Sequence, residues 1–101
     1  MSTFQHIIDR GSSTIDYLLQ IIDATDNDEI LFKAVNALDE MNGLLRNYSD
    51  NGEFYFSKCF DGISQVLRDK VISLLIKYEL DDVYDLVIDS NYRVHNGGRN
   101  Q

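Results

Sequence analysis

Glu79, Asp81, Asp82, Asp85 and Asp89 place five carboxylates and no base within eleven residues. Carboxylates at that density can share a proton for acid–base work, hold a divalent cation, or offer a negative surface to a cationic partner. A calcium loop sets oxygen ligands at alternating positions around a central glycine, and this stretch contains no glycine. Asp85 and Asp89 stand one helical turn apart and repel each other mildly. The third use fits the pattern best, so these five residues are the candidate partner-binding patch. A second acidic group, Asp23, Asp26, Asp28 and Glu29, is explained mainly by the start of a helix.

The other reactive side chains do not converge. Cys59 follows Lys58, whose charge would lower a thiol pKa, but no base lies nearby in sequence, and an apolar buried cysteine is the plainer reading. His6 and His95 are far apart and have no metal-ligand spacing. The expectation is therefore no catalytic residue, no metal and no cofactor. Residues 90–101 carry Arg93, His95 and Arg99 and no acid, making this the net-positive end of the chain. Tyr92 beside Arg93 offers a ring and a guanidinium for a base or a phosphate. Tyr92, Arg93 and Arg99 are thus the candidate ligand contacts of an alternative reading, in which helical protomers assemble and hold an anionic small ligand such as a nucleotide.

Composition narrows the class of function. The chain has 101 residues, a net charge of −8, one cysteine and no proline or tryptophan. That length suits a single domain, and 44% hydrophobic residues is ordinary for a folded chain. One cysteine excludes an internal disulfide framework. The acid excess argues against direct binding to a nucleic-acid backbone, which needs clustered Lys and Arg. No segment approaches the roughly 20 apolar residues of a membrane span. A reducing cytoplasm is the expected compartment.

Helical periodicity dominates the elements that must position these residues. Leu31, Ala34, Leu38, Met41, Leu45 and Tyr48 recur at steps of three and four and predict a helix over 27–48. Asp26 with Glu29 reads as its capping box. Phe56, Phe60, Ile63, Leu67, Val71, Leu74 and Tyr78 predict a second long helix over 53–79, across a Ser49–Gly52 turn. Residues 53–56 are aromatic enough to suggest a strand, but no partner strand is evident. The first third reads as two short helices parted at Gly11, or as one bent there. A short helix is expected over 82–89, and 91–101 as a flexible tail. The fold class is therefore all-α: a small helical bundle built on a long antiparallel hairpin, with short terminal helices and one domain over 1–90.

Apolar residues also flank the main stripes, notably Ile30, Phe32, Val35 and Leu44, and Phe54, Tyr55, Ile72, Leu75 and Ile76. Either the terminal helices cover them or the chain self-associates, and a homo-oligomer is expected. In size, acidity, lack of proline and helical pattern the chain resembles bacteriocin immunity proteins and phage-encoded inhibitors of host machinery. It shares no motif with either, so the likeness assigns no residue. The functional expectation is a small acidic non-enzymatic protein that binds and blocks or regulates a larger basic protein, one that handles nucleic acid, as an inhibitor or immunity-type factor. Asp outnumbers Glu thirteen to four, and short carboxylates on rigid helices imitate spaced phosphates better than long mobile ones.

Overall fold

In the computed structural model the backbone is described for residues 3–48 and 50–96, and side chains for 8–48 and 50–88. Among the described residues five helices follow one another: α1 Thr3–Ala24, α2 Asp28–Tyr48, α3 Gly52–Lys58, α4 Gln65–Lys77 and α5 Asp81–Asn96. No strand occurs among the described residues, so the aromatic 53–56 segment is helical. The Cα radius of gyration is 13.4 Å, close to the value of about 13 Å for a compact domain of this length.

The long antiparallel hairpin is α1–α2, not the pairing of 27–48 with 53–79 that the sequence suggests. α1 runs unbroken through Gly11. A Cβ added there would lie 3.0 Å from Leu45 Cδ2 and 3.4 Å from Met41 Cε. Gly11 therefore serves the close approach of the start of α1 to the end of α2, and does not stop a helix. The turn between them is only Thr25–Asn27. Asn27 Oδ1 accepts from Ile30 N at 3.0 Å and caps α2, which displaces Asp26 from that role. Asp26 instead faces Lys70 of α4, whose Nζ also donates to Thr25 O at 2.8 Å. One cation thus ties the hairpin turn to a helix far along the chain.

The expected 53–79 helix is two helices. Successive i→i−3 bonds, from Cys59 N to Phe56 O, Phe60 N to Ser57 O and Asp61 N to Lys58 O, tighten and end α3. Asp61–Gly62 turns the chain. Ser64 then caps α4, its Oγ accepting from Leu67 N at 3.1 Å. The apolar rhythm survives this break because Phe60 and Leu67 both enter the core. At the front of α3, Gly52 lies against α2 so closely that a Cβ would collide with the Leu45 and Arg46 backbone. The residue before α3 is Asn51, with no side-chain cap. α5 extends to Asn96, past the expected end near residue 89, because 91–96 continue the helix; Gly97–Gln101 lie outside the described residues.

The core is one cluster drawn from all five helices, including Ile15, Ile22, Val35, Leu38, Leu45, Phe56, Phe60, Val71, Leu75, Val83 and Val87. Val35 and Leu75, both in the apolar excess beside the stripes, are fully buried. Ile30, Phe32, Leu44, Phe54 and Ile76 from the same set remain exposed. The terminal helices therefore cover only part of that excess.

Candidate functional site

The outer flank of α1 carries Asp9, Asp16 and Asp23 at seven-residue intervals, which on a helix means one stripe with about 10.5 Å between neighbours. All three are exposed. The opposite wall of this flank is built by α3, the 59–64 linker and the start of α4. Between the walls lie two open recesses. The first holds about 420 Å³ and is lined by Ile8, Asp9, Ser12 and Asp16 from α1 and by Tyr55, Lys58 and Cys59 across from them. The second holds about 260 Å³ and is bounded by Asp16, Leu19, Gln20 and Asp23, with Ile63 and Leu67 opposite. Asp16 borders both, and the two recesses, one after the other along α1, make up the α1 trough.

The linker that forms the far wall is held by a buried cation. Arg68, 1% exposed, donates from Nη2 to Phe60 O. Its Nη1 is buried without a hydrogen-bond partner. Burial lowers the guanidinium pKa from its ordinary value, while Asp61 and Asp69 act to raise it. A buried charge is tolerated only when hydrogen-bonded or compensated by opposite charge, and here the carbonyl and the two aspartates supply that compensation. Arg68 thereby fixes where the chain leaves Phe60 and re-enters α4.

Cys59 closes the upper recess. It caps the C-terminal end of α3, and Sγ donates to Tyr55 O at 3.4 Å. Burial pushes its thiol pKa up. A hydrogen bond with Ser12 opposes this, and the carboxylates of Asp16 and Asp61 add to the rise. A reactive cysteine needs a cationic setting that stabilises the thiolate; this one stands in a negative field. Lys58, which the sequence offered as its activator, instead reaches over the Phe54 ring, 5.7 Å from the centroid.

The acidic patch expected from sequence sits at the head of α5. Asp81 and Asp82 lie in the first turn of that helix, where the helix dipole favours negative charge. Asp85 comes one turn later, and Glu79 precedes them in the α4–α5 turn; all four are exposed. Val83 and Val87 turn the other face of α5 into the core. Asp89 lies on α5, but its side chain is outside the described residues, as are those of Tyr92, Arg93 and both histidines. Arg99 lies outside them altogether. The ligand-binding alternative therefore has none of its side chains among those described. No group of three His, Cys, Asp or Glu able to hold a metal is found among the described residues.

Sequence reasoning missed the α1 row. Its signal is present as the seven-residue spacing of Asp9, Asp16 and Asp23, but density draws attention to residues 79–89, and a helix break at Gly11 would split the row. No family model, curated protein or solved structure matches this chain.

Proposed function

We propose that this protein is a small acidic, non-enzymatic interaction factor that binds a larger basic protein, one that handles nucleic acid, and blocks or regulates it as an inhibitor or immunity-type factor. The observation that carries the reading is a local excess of exposed carboxylates. Glu79, Asp81, Asp82 and Asp85 stand together at the head of α5, and the ion pairs of Lys33, Arg46 and Lys70 lie elsewhere, with Glu29, Glu53 and Asp26. A field of this kind draws in cationic surfaces and raises association rates. The non-enzymatic part of the reading is supported by Cys59, the chain's lone thiol, whose surroundings favour the protonated form.

Two subsidiary proposals accompany it. A cytoplasmic setting suits the single free thiol. No helix is long and apolar enough to cross a membrane among the described residues. A twofold dimer is supported by apolar side chains left in solvent, such as Phe54 and Ile76 at 55% and 60% exposure. Phe32 is also exposed and packs its ring edge-on against Tyr78 at 4.9 Å. Light scattering at micromolar concentration tests the dimer, and a monomer mass refutes it.

The main reading is tested by affinity capture from the native host with wild type and with a variant carrying Asp81→Lys, Asp82→Lys and Asp85→Lys. The expected result is a basic protein retained by wild type at low salt, released at high salt and captured poorly by the variant. Exposed charges act over only about 8 Å at physiological ionic strength, so salt must weaken a charge-steered complex. Capture that is indifferent to both salt and charge reversal sinks the proposal.

A further inference from the structure

The α1 trough differs from the α5 patch in one respect: it is concave and has apolar residues inside it. Leu19 and Leu67 are buried in the protein's own core, and half-buried Ile63 supplies the apolar surface of the lower recess. Asp16 and Asp23 stand exposed at its edge. From Asp9 to Asp23 the row extends about 21 Å along the helix. We propose that this trough is the docking site for a basic helix of the partner, its cations along Asp9, Asp16 and Asp23 and an apolar side chain over Ile63. The proposal rests on the reading of a basic protein partner and says which surface receives it and what the partner presents.

Charge and spacing select this occupant. Carboxylates about 10.5 Å apart along a helix axis cannot converge on one divalent ion, whose ligands sit at roughly 2.3 to 2.6 Å. Phosphate is repelled by the same row. A helix lying along α1 presents side chains to it every seven residues, in register with the aspartates, and its apolar positions three or four residues on fall over the floor. This is the helix-in-groove mode of recognition, with acid added along one lip. A second copy of the chain is a poor fit. Lys70 and Lys77 on α4 have the spacing, but Lys70 is already held by Thr25 and Asp26. Lys58 lines the upper recess and lies over Phe54, so the incoming cation opposite Asp9 meets some repulsion, and the contact at Asp16 and Asp23 carries more of the affinity. The rise in the Cys59 pKa to which Asp16 and Asp61 contribute is a local sign of the same negative field.

The test uses the intact protein and a fluorescent peptide of about eighteen residues with Lys at every seventh position and Leu on the adjoining face. A scrambled peptide of identical composition and the polyamine spermine serve as competitors. Anisotropy should show the patterned peptide bound, with its affinity reduced about tenfold by Asp16→Asn plus Asp23→Asn, since each exposed pair contributes little alone. Asp16→Glu should bind as wild type, and circular dichroism should show both variants folded. Neutralising Asp81, Asp82 and Asp85 should slow association and weaken binding less than the paired α1 substitutions do. Alkylation of Cys59, which lines the upper recess, should slow when the peptide is bound. If neutralising α5 abolishes binding and the α1 variant does not, the trough is wrong and the basic-partner reading stands. If the scrambled peptide or spermine competes as well as the patterned one, charge alone is at work and helix docking is overturned. If none of these cations binds at low salt, both the trough and the reading beneath it fail.

Discussion

Glu79 has a φ of 58°, placing a non-glycine residue in the left-handed region. The hydrogen bonds around it explain why. Leu80 N bonds to Leu75 O at 2.9 Å and Glu79 N to Ile76 O at 3.2 Å. This is the Schellman pattern that closes a helix, and its left-handed residue is usually glycine. The left-handed conformation costs an L-residue about 1 to 2 kcal/mol. Glu79→Gly removes that cost but adds unfolded-state entropy, worth about 0.4 to 1 kcal/mol in the other direction. At mid-range the net gain is about 0.8 kcal/mol. With an unfolding entropy of about 2.1 cal/mol/K per residue over 101 residues, that gain raises Tm by about 2 to 5 °C.

Two variants separate backbone from charge. Glu79→Ala removes the same carboxylate from the Asp81, Asp82 and Asp85 neighbourhood but keeps the left-handed cost, so it should leave Tm within about 2 °C of wild type. Calorimetry or thermal circular dichroism at neutral pH reads all three proteins. Equal stabilisation by Ala and Gly would show that relief of carboxylate repulsion, not φ, sets the effect, and the strained turn would be refuted. The position also tests function. A strained, exposed carboxylate beside a candidate binding patch has the character of a residue retained for recognition at some cost to stability. If Glu79→Gly and Glu79→Ala both weaken capture of the basic partner while only Gly raises Tm, stability and binding are opposed at this turn.

Gly52→Ala should cost more than about 2 kcal/mol in urea melts, because the new Cβ meets α2 backbone and not a side chain that can swing away. Leu38→Ala, fully buried in α2, should cost about 3 to 5 kcal/mol; Leu67→Ala, at the floor of the trough, should cost nearer 2. An unchanged denaturation midpoint for Leu38→Ala would contradict its burial. Alkylation of Cys59 by iodoacetamide should be slow at pH 8 and should reach half its limiting rate only above the ordinary thiol value of 9.0. The linked stability has a definite sign. The folded state holds its proton to higher pH than the unfolded state, so stability falls as pH rises from about 9 toward the folded pKa. A thiol that alkylates as fast as a free peptide cysteine would show Cys59 open to water and away from Asp16.

The legibility of this chain tracks the range of the interactions involved. Helix type is written locally, in three-and-four spacing, and every helix lies where apolar residues recur. Helix ends are harder. The break at 59–64 is present as Asp61–Gly62 and then Ser64, a turn and then a cap. The apolar rhythm hides it, because Phe60 and Leu67 keep helical spacing while reaching the core from different elements. Gly11 misleads for the complementary reason: a glycine that stops a helix and one that admits a neighbouring helix look alike until Met41 and Leu45 are known to lie against it. Pairing is least legible. The short 49–52 link favours packing α2 against the segment after it, yet Thr25–Asn27 makes an equally short turn, and the α1–α2 seam is the longer one. The buried Arg68 has no sequence signal, since its partner is a backbone carbonyl of Phe60.

These corrections change what the acidity means. A density count singles out residues 79–89, where convex exposure leaves charge free to steer but gives a partner little to grip. A continuous α1 aligns Asp9, Asp16 and Asp23 in one row, and the split of 53–79 into α3 and α4 builds the wall that turns the row into a trough. α1 and α5 do not pack on each other among the described residues, so the two acidic surfaces occupy separate elements. That division suits the proposed role of inhibitor. Charges on α5 raise the encounter rate over a Debye length. Pairs made by the α1 carboxylates are screened less once a partner displaces water around them, so salt weakens them more gradually than it weakens the steering. Measured against ionic strength, the association rate should therefore fall more steeply than the dissociation rate rises. A complex that instead loses its lifetime as fast as its on-rate would be held by surface charge alone.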